Sequence, residues 1–338
     1  MWKKILLILG CLVLIAIVVG GAGITWLFLR KPAMAPPSSI KVAITPERVA
    51  RGRYIFVSVA DCGRCHSEHD YSRFGYPEVQ GGRAIGNDLS EIVKELRPFG
   101  IVVAPNLTPD IETGLGTWTD GEKIRAIRDG VDKNGRALFP AMPYQSYRRF
   151  CDDDVQALVA FLDCLPPVHH PLPQTKLNFP VSLLIKSFPQ PSGSVSQLDR
   201  SDAKRYGEYL VAVAACENCH TPVDGSFNSL PGKKLAGGTV FDHPEGKVVS
   251  ANITPDLETG IGKWSEEFFQ KKFYDYKDYA ANGPPPVTPQ SFTVMPWLAF
   301  SGKDPEDLSA IYAYLRSVPP VHNPVEVHPG FPKVNATP

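Results

Sequence analysis

Two pentapeptides hold the residues in this chain best placed to do chemistry. Cys62-Gly63-Arg64-Cys65-His66 returns 154 residues later as Cys216-Glu217-Asn218-Cys219-His220. Two thiols spaced by two residues, with a histidine directly after the second, form the attachment signature of haem c. The thiols make thioethers to the two haem vinyls, and the same turn carries the imidazole to the iron as proximal ligand. Two other chemistries use Cys-x-x-Cys pairs. A four-thiolate zinc site would leave His66 and His220 coincidental and would join equivalent points of a repeated unit. A thioredoxin-type redox pair belongs beside a βαβ pattern, and neither motif lies in one. The expected cofactors are two covalently bound haem c groups, on Cys62, Cys65 and His66 and on Cys216, Cys219 and His220.

The sixth iron ligand follows from a count. Of four methionines, Met1 initiates and Met34 lies in a Pro-rich stretch, while Met142 and Met295 stand 76 and 75 residues after His66 and His220. Each precedes a proline, which stiffens the loop presenting the sulfur. Met142 and Met295 are therefore the expected distal ligands, and His/Met ligation raises the reduction potential. Cys151 or Cys164 on iron in place of Met142 is the alternative. The plainer expectation is that both are buried free thiols, since a helix of about 12 residues between them holds their ends roughly 18–20 Å apart, beyond disulfide reach.

The elements that must position these residues also come twice. Gly52-Arg53-Tyr54-Ile55 returns as Gly207-Glu208-Tyr209-Leu210, and Met142-Pro143-Tyr144 as Met295-Pro296-Trp297. Asn106-Leu-Thr-Pro-Asp-Ile-Glu-Thr-Gly-Leu-Gly-Thr-Trp118 returns as Asn252-Ile-Thr-Pro-Asp-Leu-Glu-Thr-Gly-Ile-Gly-Lys-Trp264, and Pro166-Pro167-Val168-His169 as Pro319-Pro320-Val321-His322. Repeats so far apart indicate a duplicated domain rather than a solenoid. Thr45-Pro46-Glu47 and Ser201-Asp202 start a helix running toward each attachment motif. Thr119 with Glu122 reads as a capping box. Val155, Leu158, Val159 and Leu162, matched by Leu308, Ile311, Tyr312 and Leu315, keep helical spacing after Asp152–Asp154 and Asp304-Pro305. Few segments alternate with period two, so the expected class is all-α.

Residues 5–29 contain no charge and are flanked by Lys3, Lys4, Arg30 and Lys31. A helix of that length is about 37 Å long, enough for a hydrocarbon core of roughly 30 Å, and longer than the apolar region of a cleaved signal peptide. Cys11 then faces lipid. The expected layout is an N-terminal transmembrane anchor and Pro-rich tether (1–44), a first cytochrome c domain (45–172), an apolar interdomain segment (173–199), a second cytochrome c domain (200–326) and a C-terminal tail (327–338). Because Leu177–Phe188 is too apolar for a free linker, it is expected to pack on one or both domains.

In combination these motifs resemble class I c-type cytochromes over residues 45–325. More closely, they are similar to the cytochrome c subunit of membrane-bound quinoprotein alcohol dehydrogenases and to related membrane-anchored dihaem cytochromes. The resemblance implies single-electron transfer and no substrate chemistry. The donor would be a periplasmic or quinol-linked dehydrogenase, and the acceptor a soluble cytochrome or terminal oxidase. Two departures stand out: the alcohol dehydrogenase subunit usually carries three attachment motifs where this chain has two, and this chain has a long N-terminal anchor. Haem attachment outside the bacterial inner membrane places both domains in the periplasm. A dihaem peroxidase-like enzyme is the competing class, but it needs one open iron, and methionines stand at both matched positions. A haem-based sensor needs an output domain, which the segments above do not include. With 35 basic and 35 acidic residues the chain has no electrostatic footprint for nucleic acid.

Asn106, Thr108, Asp110 and Trp118, with Asn252, Thr254, Asp256 and Trp264, either line the haem edge or form a turn holding two helices. Calcium at Asp110 and Glu112 lacks further ligand oxygens. His69, His169, His170, His243, His322 and His328 read as surface or turn residues.

Overall fold

The computed structural model describes residues 2–224, 228–244 and 246–331, so 332–338 of the expected tail lie outside the described residues. The chain is helix-rich. Helix α1 (Trp2–Leu29) is followed by α2 (Pro46–Tyr54), α3 (Asp120–Asp129), α4 (Asp152–Asp163), α5 (Ala203–Val213), α6 (Glu266–Tyr274) and α7 (Pro305–Ser317), with shorter turns between. Strand pairing is minor: β1 (Asn87–Asp88) pairs β3 (Val103–Ala104), β2 (Gly100–Ile101) pairs β4 (Lys176–Leu177), and β5 (Val240–His243) pairs β6 (Gly246–Val249), all antiparallel.

The starts of the helices are locally encoded. Thr45 accepts from the Arg48 amide, Asp202 from the Arg205 amide, and Thr119 and Glu122 form both halves of a capping box, which satisfies amides that a helix leaves without partners. The end of α2 differs from expectation. It does not run on as α-helix toward Cys62 but widens into a π-helical turn over Ile55–Val59. α5 keeps α geometry through Val213.

α2 packs on α4, and α5 on α7, in equivalent ways. Both crossings are set by the glycine of the Gly-x-Tyr motif. A Cβ built on Gly52 would lie 1.9 Å from the Ala157 carbonyl oxygen, and one on Gly207 would lie 1.8 Å from that of Ala310. A side chain at either position would force the backbones apart. One continuous apolar core joins the two copies, including Ile55, Phe56, Val155, Leu158, Leu210, Val213, Leu308 and Ile311.

The copies also exchange hydrogen bonds reciprocally. Tyr54 of the first donates to Asp307 of the second at 2.7 Å, and Tyr209 of the second donates to Asp154 of the first at 2.6 Å. Within the first copy Arg51 holds Asp154 through two bonds of 2.8 Å, and within the second Tyr206 donates to Asp307 at 2.9 Å. Burial opposes ionisation of Asp154, but the Arg51 guanidinium and the Tyr209 hydroxyl together hold its carboxyl below the usual range.

Residues 31–45 lie along the first copy: Val42 donates to the Asp120 carboxylate at 2.8 Å, and Met34 lies against Gly135. Cys151 is buried as expected, its sulfur 3.7 Å from the Tyr209 hydroxyl. Cys164 departs from expectation and is exposed, because it caps the last turn of α4 where that helix leaves the core. Both thiols are free.

Candidate haem sites

Each attachment motif forms a short helical turn, Gly63–His66 and Cys216–His220. In the first, the chain reaches Cys62 with its amide donating to the Phe56 carbonyl freed by the π turn, at 2.9 Å. Two interactions fix each histidine. His66 Nδ1 donates to the Pro105 carbonyl at 2.8 Å, and His220 Nδ1 to the Ala251 carbonyl at 2.7 Å. The histidine's own carbonyl accepts from Gly86 in the first copy and Gly237 in the second, at 2.8 and 2.7 Å. With the proton placed on Nδ1, the lone pair is on Nε2, the form a metal takes, and a backbone acceptor on the far nitrogen orients the ring. Burial pushes both imidazoles down from their ordinary value, keeping them neutral.

The thiols Cys62, Cys65, Cys216 and Cys219 are all free. Burial raises each, Cys216 to about 11, so as free groups they are held in the thiol form. Among the described residues no group of three or more His, Cys, Asp or Glu side chains is arranged to hold a metal ion. Paired thiols next to a neutral imidazole with a free Nε2 fit haem c, whose own iron completes the site.

Met142 and Met295 are half-buried and pack on the same core as Cys62 and Cys216. Their carbonyls accept from Tyr144 and Trp297, both at 2.8 Å, closing equivalent turns after each methionine. The second methionine loop is braced from the other copy. Phe74 and Val287 exchange backbone bonds with Pro285 and Ser72, at 2.8 and 2.9 Å. The Phe74 ring stacks on Tyr276 (centroids 5.3 Å apart), which in turn stacks 5.0 Å from Trp297.

The Asn-x-Thr-Pro-Asp loops act as clamps. Asn106 donates to the Val168 carbonyl and Asn252 to that of Val321, each at 2.8 Å, while Thr108 and Thr254 accept from the Val168 and Val321 amides. Asp110 and Asp256 brace their own turns, accepting from the amide and hydroxyl of Thr113 and Thr259, and lie 3.7 and 3.6 Å from Nδ1 of His169 and His322. The loop ties the terminal Pro-Pro-Val-His segment down. His69 has its two ring nitrogens on the Tyr76 and Gly63 carbonyls, at 2.6 and 2.9 Å, so it supports the motif turn from behind.

Sequence reasoning missed Lys303. Its ammonium is buried between the copies, donates to the Ser58 and Val59 carbonyls of the π turn and lies 3.8 Å from the Phe300 ring. Burial, with Cys216, Asp307 and Asp61 pulling the other way, brings it down to about 8. A signal for it exists in the repeat: Lys303 stands where the first copy has the fully buried Phe150.

Together the paired thiols, oriented imidazoles and matched methionine loops define a protein that binds haem c covalently and transfers electrons. Comparison with known proteins agrees. The chain is 30% identical over 307 residues to the dihaem cytochrome c-type protein of Cereibacter sphaeroides, covering 89% of this chain and 95% of that one. It is 31% identical over 280 residues to the fructose dehydrogenase cytochrome subunit of Gluconobacter japonicus, covering 80% of this chain and 52% of the relative. It is 30% identical over 289 residues to the cytochrome c subunit of the quinone alcohol dehydrogenase of Komagataeibacter europaeus, covering 81% and 56%. No family model matches. The chain belongs to the dihaem c-type cytochromes related to cytochrome c subunits of dehydrogenases. It spans about half the length of the fructose and alcohol dehydrogenase subunits.

Proposed function

We propose that this cytochrome carries two haems in two tandem, predominantly helical cytochrome c domains, 45–172 and 200–326, joined by 173–199. One haem is held by Cys62 and Cys65 with His66 and Met142 on iron, the other by Cys216 and Cys219 with His220 and Met295. The observation that carries this reading is the duplicated motif whose two histidines both spend Nδ1 on a backbone carbonyl and keep Nε2 free. Haem c, when bound, supplies a one-electron ferric/ferrous couple, and thioether ligation places it at high potential. The protein's part is to hold both sites in a fixed relation and to exclude water. Reciprocal Tyr–Asp bonds and a shared core do the first, and the buried His66 with the half-buried His220 and motif thiols serves the second.

The chain is membrane-anchored in this reading. α1 is the one helix among the described residues long and apolar enough to cross a bilayer, and its large apolar side chains are exposed. It lies in the inner membrane with the haem domains in the periplasm, where haem is attached. The donor is a dehydrogenase, as the names of the fructose and alcohol dehydrogenase relatives suggest, and the acceptor a soluble cytochrome or terminal oxidase.

A haem count with the dithionite-reduced spectrum before and after carbon monoxide tests the assignment. Two haems and an unchanged spectrum are expected, because both irons are six-coordinate. A shift of half the amplitude would mean one open iron and a peroxidase-like enzyme instead.

A further inference from the structure

The segment 178–188 takes no part in either haem site, and it does not fold wholly against the copies. Leu183 and Ile185 turn inward, but Phe179, Leu184 and Phe188 are 73%, 56% and 43% exposed. Ile101, on the strand paired with Lys176, is exposed beside them. Single exposed apolar residues are ordinary; the location of these is not. The Phe179 ring stacks on Phe28, centroids 6.4 Å and planes 7° apart. Lys186 Nζ donates to the Phe28 carbonyl at 2.8 Å, and Arg30 donates to the Leu183 carbonyl at 3.3 Å and to the Ser187 hydroxyl.

Phe28–Arg30 is where the apolar run of α1 stops and charge begins, the level at which a spanning helix leaves the hydrocarbon. Aromatic rings and long basic side chains are favoured at that depth. The patch has both: Phe179 and Phe188 among aliphatic neighbours, rimmed by Arg30 and Lys186, which bond across to it, and by Lys176, paired with Ile101. Its apolar surface continues the exposed face of α1, and its basic rim complements anionic headgroups.

We propose that Phe179, Leu184 and Phe188, with Ile101, form a second membrane contact. They dip into the headgroup–acyl boundary beside α1 and seat the first copy on the bilayer. The occupant is lipid because the patch is continuous with a helix face that itself meets lipid. This rests on α1 spanning the membrane, and the test separates the two claims. The full-length holoprotein is reconstituted into nanodiscs of phosphatidylcholine and phosphatidylglycerol doped with a phospholipid bearing an acyl-chain diazirine. After irradiation, adducts are mapped by mass spectrometry. Adducts on 177–188 as well as on 5–29 are expected. The triple variant Phe179→Ser, Leu184→Ser, Phe188→Ser, and Phe179→Ser alone if the triple loses its haem spectrum, should lower adducts on 177–188 by at least roughly fivefold and leave those on 5–29 unchanged. Wild-type adducts on 5–29 alone would overturn the patch and leave it to a protein partner. No adducts on either segment would overturn the spanning helix and the patch together.

Discussion

Replacing Gly207 by alanine sets two effects of opposite sign against each other. Alanine is favoured over glycine in a helix interior by about 1 kcal/mol, so by propensity alone the variant is stabilised. The crossing of α5 on α7 says otherwise. A Cβ at 207 would lie 1.8 Å from the Ala310 carbonyl oxygen, 2.5 Å from its carbonyl carbon and 2.9 Å from the Tyr314 Cβ. Reaching ordinary contact at 3.4 Å requires the backbones to part by about 1.6 Å (3.4 minus 1.8). The obstacle is main chain, which no rotamer change can move aside. Overpacking of this kind typically costs about 1–3 kcal/mol and occasionally more, and separating the helices also loosens Leu210, Leu308 and Ile311. Less the propensity gain, the clash leaves about 0–2 kcal/mol, and the loosened core contacts bring the net loss to about 1–2 kcal/mol. In urea denaturation of the detergent-solubilised holoprotein, followed by the haem Soret band, the transition should fall by about 0.3–2 M for a slope near 1–3 kcal/mol/M. A midpoint equal to or above wild type would mean that propensity wins and that the helices do not cross this closely. Gly52→Ala should behave alike, since its Cβ would meet Ala157 at 1.9 Å.

Further outcomes follow from the contact between copies and from the iron ligands. Tyr209→Phe removes a hydrogen bond to a charged, buried carboxylate and should cost about 1.5–3 kcal/mol in the same denaturation assay. Asp154→Asn should cost more, and it should change the acid limb. The carboxyl is depressed in the folded state, so its contribution is complete above the unfolded value near 3.9 and is lost as pH falls through the lower folded value; the variant's stability should therefore vary less with pH below about 4. Met142→His should leave the haem attached and lower one midpoint potential substantially in a spectroscopic redox titration, and two unchanged midpoints would remove the axial assignment. Lys303→Met removes a buried positive charge near Cys216. A buried positive charge near an iron favours its ferrous form, so at least one midpoint should drop on Lys303→Met while Lys303→Arg holds it.

Some features of this protein depend only on residues close together in the chain, and those are legible in the amino-acid sequence alone. The spacing in Cys62–His66 and Cys216–His220 is itself the chemistry, because one turn must carry two thioether sulfurs and an imidazole. The caps at Thr45, Thr119 and Asp202 are satisfied within three or four residues. The duplication is visible because matched segments recur in the same order. Other features are decided where distant segments meet. Tyr54 and Asp307 are 253 positions apart, and nothing local marks them as partners. The π turn at Ile55–Val59 exposes carbonyls that a lysine 245 residues away fills. The exposure of Cys164, and the turning of Phe179, Leu184 and Phe188 away from the core beside Phe28, depend on which surface the rest of the chain leaves uncovered. Covalent chemistry and capping act over one turn of backbone, whereas burial and the pairing of buried polar groups are set only once the whole chain is packed.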